Sequence, residues 1–270
     1  MNLGASAAAL ILALAASPAV RAEGSLPKEL EQVGIDQKLN QQLPLDLVFR
    51  DESGREVKLG DYFGRRKPIV LSLVYYKCPM LCTMVLNGML RSMRAVSFNA
   101  GEEYEVVTVS IDPREKPSLA AASKRTYMKR YRRDGAEKGW HFLTGDEESI
   151  SKLAEAVGFR YTFDPETNQF AHASGIMVAT PKGRLSRYLY GVEYAPRDLR
   201  LGLIEASEEK IGSPVDQLLL YCFHYDPAVG KYGLIIQNVI RLGGMLTVAG
   251  LVTLLLVLNR QSRHRKADYA

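Results

Sequence analysis

The sequence predicts an α/β protein with a mixed β-sheet, opened by an N-terminal β-hairpin and closed by a C-terminal transmembrane helix. Three observations predict it. Two near-continuous apolar runs, Pro68–Tyr76 and Tyr104–Ile111, suit central strands buried on both faces, and a stretch of helical character follows each. Ala173–Ala179 and Leu185–Tyr190 flank the turn Pro181-Lys182-Gly183, which is the pattern of an antiparallel hairpin. Finally, Leu242–Leu258 is 17 residues without a charge, long enough for about 25 Å of helix.

From the N-terminus, Ala5–Ala16 is a run of small apolar residues and leucines, and Val20-Arg21-Ala22 offers small residues at the −3 and −1 positions of a cleavage site. Residues 1–22 therefore read as a signal peptide; the run is short for an uncleaved anchor. Residues 23–43 are polar and read as a linker. Leu45, Leu47 and Phe49 alternate, Asp51-Glu52-Ser53-Gly54 turns the chain, and Val57 and Leu59 return it, making the hairpin that starts a domain over 44–210. After the first apolar run, Leu81, Val85, Met89 and Met93 recur at helical spacing. Pro117 opens a basic helix to about Arg133, and Trp140–Leu143 is strand-like. Asp146 caps a helix that Gly158 stops, Phe159–Phe163 reads as a strand, and Pro196 starts the last helix, to about Lys210. Asp164–Ala173 reads as a loop.

Residues 211–240 form a juxtamembrane segment and 241–259 the expected span. Arg260, Arg263, Arg265 and Lys266 follow it in the tail 260–270. Positive residues stay in the cytoplasm. The domain is therefore expected to face the periplasm or the cell exterior, from the inner membrane of a bacterium. The whole chain carries 35 Lys and Arg against 30 Asp and Glu. Most of that excess sits in the tail, so the domain is near neutral and a nucleic-acid partner has no electrostatic support.

The stretch that carries chemistry is Cys78-Pro79-Met80-Leu81-Cys82, where a buried strand hands over to a helix. Unpaired N–H groups at a helix start stabilise a thiolate. A spacing of four places both sulfurs on one face, able to close a disulfide or hold a soft metal. This strand–cysteines–helix unit points to a thioredoxin-like fold. A static structural disulfide is disfavoured, because so small a loop hardly constrains the unfolded chain. Copper(I) accepts sulfur and imidazole. Candidate third ligands are His141, His172 and His224, with His264 excluded by its place in the tail. Met80 and Met84 offer thioethers, although their spacing also fits packing along the helix stripe. Cys222 and His224 alternate and could share a strand face as a second metal site, or pack beside the membrane. Peroxidase chemistry would want Ser or Thr three residues before the attacking cysteine, where Pro79 and Tyr75 stand instead.

Ser72–Cys82, Val109-Ser110-Ile111-Asp112-Pro113, Leu143-Thr144-Gly145, and Ala171-His172-Ala173-Ser174 followed by Pro181-Lys182-Gly183-Arg184 occur in that order. Together they resemble the landmarks of the Sco/SenC family over roughly residues 42–205. The resemblance implies a thioredoxin-like copper(I) metallochaperone for the copper site of cytochrome c oxidase, with Cys78, Cys82 and His172 as ligands and the copper-site subunit of the oxidase as partner. It equally implies an alternative, a thiol-disulfide oxidoreductase using Cys78 and Cys82 as redox-active thiols. The chain departs from the family where Met80, Leu81 and Thr83 replace an acidic residue inside the motif and a proline after it. Ala171 stands where an acidic residue often precedes the histidine. The family's anchor is often N-terminal, whereas here the apolar segment is C-terminal.

Overall fold

A computed structural model describes residues 33–78, 80–212, 225–226, 231–232, 242–253 and 255. It divides into two compact units, Met1–Ile211 and Gly212–Ala270.

The first unit is organised around five strands. β4 (Ile69–Val74) and β5 (Glu105–Ser110) run parallel down the middle, and every residue of both is buried. Their Val/Ile/Leu-rich sequences are what a strand covered on both faces requires. β6 (Trp140–Leu143) continues the parallel direction on one side of β5. On the far side of β4, β9 (Gly175–Ala179) and β10 (Leu185–Tyr190) add an antiparallel hairpin. The order is β10-β9-β4-β5-β6, a mixed sheet of thioredoxin-like type. Polar atoms inside it are paired: Ser72 Oγ donates to Thr108 Oγ1 at 3.0 Å, and Trp140 Nε1 donates to the same oxygen at 3.0 Å.

Among the described residues, four α-helices pack against the sheet or stand at its ends. α1 (Leu81–Ala95) follows β4 directly and buries Cys82, Val85, Met89 and Met93. α2 (Pro117–Tyr131) starts with its proline in the first turn and ends at Arg132, whose φ of 54° stops it. α3 (Glu147–Ala156) is capped by Asp146, whose Oδ1 accepts from the Ser149 N–H at 2.7 Å. α4 (Pro196–Ser207) closes the unit. Gly88 lets α1 approach the chain at Val192: a Cβ there would lie 1.9 Å from the Val192 carbonyl oxygen.

Two small sheets flank the main one. β2 (Val48–Arg50) and β3 (Glu56–Lys58) form the expected hairpin, its turn tied by Asp51 Oδ1, which accepts from the Ser53 and Arg55 N–H groups. β7 (Phe159–Asp164) is the centre of the other, between β1 (Gly34–Ile35) and β8 (Gln169–His172). Within the stretch read as linker, then, Gly34–Ile35 pairs with β7, and Leu43 is buried in the core. β8 replaces the loop expected over Asp164–Ala173. Its turn is local chemistry: Asp164 accepts from the Glu166 N–H and the Thr167 hydroxyl, and Asn168 takes the left-handed conformation at φ 55°.

In the second unit, β11 (Tyr225–Asp226) pairs antiparallel with β12 (Lys231–Tyr232), and residues 242–253 are helical. The expected C-terminal transmembrane helix is corrected here. Among the described residues no helix is long and apolar enough to cross a membrane. The expectation rested on an uncharged, all-round apolar run followed by positive residues, and composition does not set helix length. The signal peptide (1–22), Cys222, His224 and His264 lie outside the described residues.

Candidate metal centre

The centre forms where β4 ends. Tyr75, Tyr76 and Lys77 carry the chain out of the sheet, Cys78 follows, and Cys82 lies in the first turn of α1. The chain cannot drift there, because its backbone is bonded on both sides. The Tyr75 N–H donates to Cys82 Sγ at 3.3 Å, and the Cys82 N–H donates to Cys78 Sγ at 3.3 Å. Both cysteines are free thiols in this structure.

His172 arrives from 90 residues away, at the last position of β8, where it pairs with Tyr161 of β7. It is 6% exposed and sits between Tyr75 and Phe159, with ring centroids 5.9 Å from each. Its Nδ1 lies 2.7 Å from the Ala173 carbonyl oxygen, which can only accept. Nδ1 therefore carries the hydrogen. In the neutral ring Nε2 then presents its lone pair, and it lies 3.0 Å from Cys82 Sγ. Cys78, Cys82 and His172 each offer one ligand atom, and all three atoms fall within 4.8 Å of one another. Two sulfurs and one imidazole nitrogen, gathered without a carboxylate, suit a soft ion better than a hard one.

The thiols are electrostatically unequal. The Cys82 side chain, helped by the His172 side chain and then by the backbone N–H groups of Cys82 and Met80, holds the half-buried Cys78 thiol well below its ordinary range, against the effect of burial. Burial and the neighbouring Cys78 charge push the Cys82 thiol up. The two shifts run in opposite directions, down on the more accessible sulfur and up on the one behind it.

The loop after β5 joins the two halves of the centre, a role that sequence reasoning missed. Glu115 is buried, and its carboxylate accepts from the Tyr76 N–H at 2.8 Å, the Lys77 N–H at 2.7 Å and the Ser110 hydroxyl at 2.6 Å. It thereby anchors the two residues before Cys78. Its neighbour Arg114 reaches the other way. Its guanidinium bonds Asp112, donates to Asn168 Oδ1 at 2.8 Å and lies over the Phe163 and Phe170 rings of the β7–β8 hairpin. Asp112-Pro113 was visible as a strand end; that the following pair would clamp both the cysteine loop and the histidine hairpin was not. A cleft of about 390 Å³, lined by Tyr75, Lys77, Arg114, Asn168 and Gln169 among others, opens beside this clamp.

The other candidate ligands part from the centre. His141 faces away: its Nε2 lies 3.1 Å from Glu105 Oε2 at the opposite end of β5, and its ring packs on Tyr62. Met80 and Met84 do not pack along the helix stripe but stand exposed, at 68% and 44%.

The sequence profile of the SCO1/SenC family matches residues 36–200. No curated protein sequence matches. Among solved structures, a protein of Aquifex aeolicus VF5 superimposes with a TM-score of 0.55 and 26% identity, over 64% of this chain and 95% of that chain. The copper-bound structure of ScoI from Arabidopsis thaliana matches at a TM-score of 0.48 and 19% identity, over 60% and 96%. A SCO1/SenC family lipoprotein from Bacillus anthracis str. Ames matches at 0.48 and 21%, over 63% and 99%.

Proposed function

Because this chain belongs to the SCO1/SenC family, we propose that it binds copper(I) through Cys78, Cys82 and His172 and hands the ion on in assembly of the copper site of cytochrome c oxidase. The observation that carries this reading is the convergence of two sulfurs and an imidazole nitrogen within 4.8 Å. Bound there, copper(I) is cargo. The chain's own work is to present a thiolate at Cys78, keep the Nε2 lone pair of His172 inward through the Ala173 carbonyl, and shield the set with Tyr75 and Phe159. The leader-like sequence of residues 1–22 supports action outside the cytoplasm, where Cys78 and Cys82 would have to be kept reduced for loading.

The asymmetry of the thiols supports a second reading, a thiol-disulfide oxidoreductase. An accessible, low-pKa Cys78 backed by a buried Cys82 is the arrangement of an attacking and a resolving thiol. The Cys78 thiolate would attack a partner disulfide, and Cys82 would then release the reduced partner and leave Cys78–Cys82 oxidised.

One experiment separates the two. The reduced protein is titrated with copper(I) under anaerobic conditions and examined by X-ray absorption, followed by thiol alkylation with and without copper. The copper reading expects one ion with two sulfur neighbours and one nitrogen, both thiols protected, and loss of tight binding in Cys78→Ser and Cys82→Ser. Oxygen or nitrogen neighbours only, with thiols that alkylate equally fast in both states, would leave the oxidoreductase reading standing alone.

A further inference from the structure

We propose that the cleft beside Cys78 is a docking subsite for a carboxylate of the partner protein, an Asp or Glu side chain flanking the partner sulfur that meets Cys78; this deepens the reading above and rests on it. The cleft, of about 390 Å³, shares a wall with the centre. Tyr75 lines it, and the same ring stands edge-on to His172 at 5.9 Å. The Tyr75 carbonyl also accepts from the Cys78 N–H at 3.3 Å, closing the turn between them. Within that turn Lys77 lines the cleft, its N–H held by Glu115 at 2.7 Å. Across from it the β7–β8 turn contributes Asn168 and Gln169, and Gln169 opens the strand that ends at His172. Consecutive Cα atoms are about 3.8 Å apart, so a residue beside a partner sulfur at Cys78 lies within reach of Lys77.

The charges of the cleft select the occupant. Lys77, Asp112, Arg114 and Glu115 all line it, and exposure separates the two signs. Asp112 and Glu115 are each 5% exposed, and their oxygens are engaged. Asp112 accepts from the Arg114 guanidinium at 2.7 and 2.8 Å, and Glu115 accepts from the Tyr76 and Lys77 N–H groups and the Ser110 hydroxyl. The two cations are exposed instead. Arg114 has its donors committed to Asp112 and to Asn168 Oδ1. Lys77 differs. Against burial, Arg114 and, more weakly, Lys77 hold the Asp112 carboxyl below its ordinary value, but the Lys77 ammonium makes no hydrogen bond or ion pair among the described residues. Asn168, its oxygen taken by Arg114, adds an NH2 donor. An ammonium and an amide NH2 without acceptors are matched by a carboxylate, which accepts from both in charge-assisted form. A cationic occupant would face Lys77 like against like, and an apolar one would strip water from the ammonium without replacing it.

The test uses the full chain, reduced and free of copper, with a pair of acetylated peptide amides that differ only in Glu or Gln beside a cysteine carried as its thiopyridyl disulfide. The Cys78 thiolate attacks the peptide sulfur, the bond from that sulfur to the thiopyridyl group breaks, and thiopyridone leaves with a proton from solvent. Its absorbance gives the rate. Dividing the Glu rate by the Gln rate cancels the thiolate fraction of Cys78, and the same ratio measured with N-acetylcysteine amide removes the intrinsic reactivity of the peptides. Wild type is expected to prefer the Glu peptide about three- to fivefold, the scale of an exposed ion pair, and the preference should shrink as salt rises. Lys77→Gln should abolish it, Lys77→Arg should keep it, and Lys77→Glu should invert it. Equal normalised rates in wild type, or a Glu preference that survives Lys77→Gln, would overturn the subsite while leaving the centre intact. If neither peptide reacts with wild type, Cys78 presents no thiolate, and the proposed function falls together with the subsite.

Discussion

Replacing Glu115 by Gln tests whether the loop after β5 holds the centre together. The carboxylate accepts three hydrogen bonds, from the Tyr76 N–H, the Lys77 N–H and the Ser110 hydroxyl. A glutamine can place its single oxygen where Oε2 stands and keep the Tyr76 and Ser110 bonds. Its NH2 then faces the Lys77 N–H, donor against donor. One charge-assisted bond is lost, worth about 1.5–3 kcal/mol, and the two that remain weaken as the acceptor loses its charge. For a domain of this size each kcal/mol moves the melting temperature by about 2–4 °C, so a fall of about 5–10 °C is expected. The released N–H lies one residue before Cys78, so copper(I) affinity should fall about tenfold, as when a supporting group is removed from other metal sites. Thermal unfolding of the apo protein and chelator competition for copper(I) read the two effects separately. A variant that melts within a degree of wild type and competes equally well would refute the clamp.

Three further outcomes are expected. Gly88→Ala should lower the melting temperature by several degrees, because a Cβ 1.9 Å from the Val192 oxygen forces α1 outward at about 1–3 kcal/mol; a rise, as at an exposed helical glycine, would show that this packing is absent. Alkylation of Cys78 should change less than about threefold between pH 5.5 and 8, since its thiol is held far below the ordinary range, whereas an ordinary thiol gains about tenfold per pH unit there; a tenfold-per-unit slope would place the thiolate elsewhere. Burial raises the Glu105 carboxyl, but His141 and then Lys67 outweigh it and leave it below its ordinary value. A depressed carboxylate stabilises above its unfolded pKa, about 4.3, and the contribution is lost as pH falls through the lower folded value. Glu105→Gln should therefore be less stable than wild type at pH 6, with a gap that narrows toward pH 3. A gap independent of pH would show that the carboxylate acts only by its shape.

What the sequence by itself determined was local. Apolar runs announced β4 and β5, turn residues announced the β2–β3 and β9–β10 hairpins, and an aspartate announced the start of α3, because each signal is written within a few residues of the structure it makes. The two cysteines were legible for the same reason: a spacing of four at a strand–helix junction is chemistry within one turn. The ordered landmarks then pointed to the family and to His172. From residue spacing alone His172 could equally have been a bland surface histidine, because a histidine's role depends on which strand pairs with which. Only the tertiary structure decided that. Strand β8, paired with β7, carries His172 to a sulfur 90 residues distant, while the register of β5 with β6 turns His141 to Glu105 at the far end. It also decided that Glu115 and Arg114 would bridge the centre and that Met80 and Met84 would face solvent. Periodicity says which residues share a helix face, but whether that face is covered depends on what the rest of the chain folds against it.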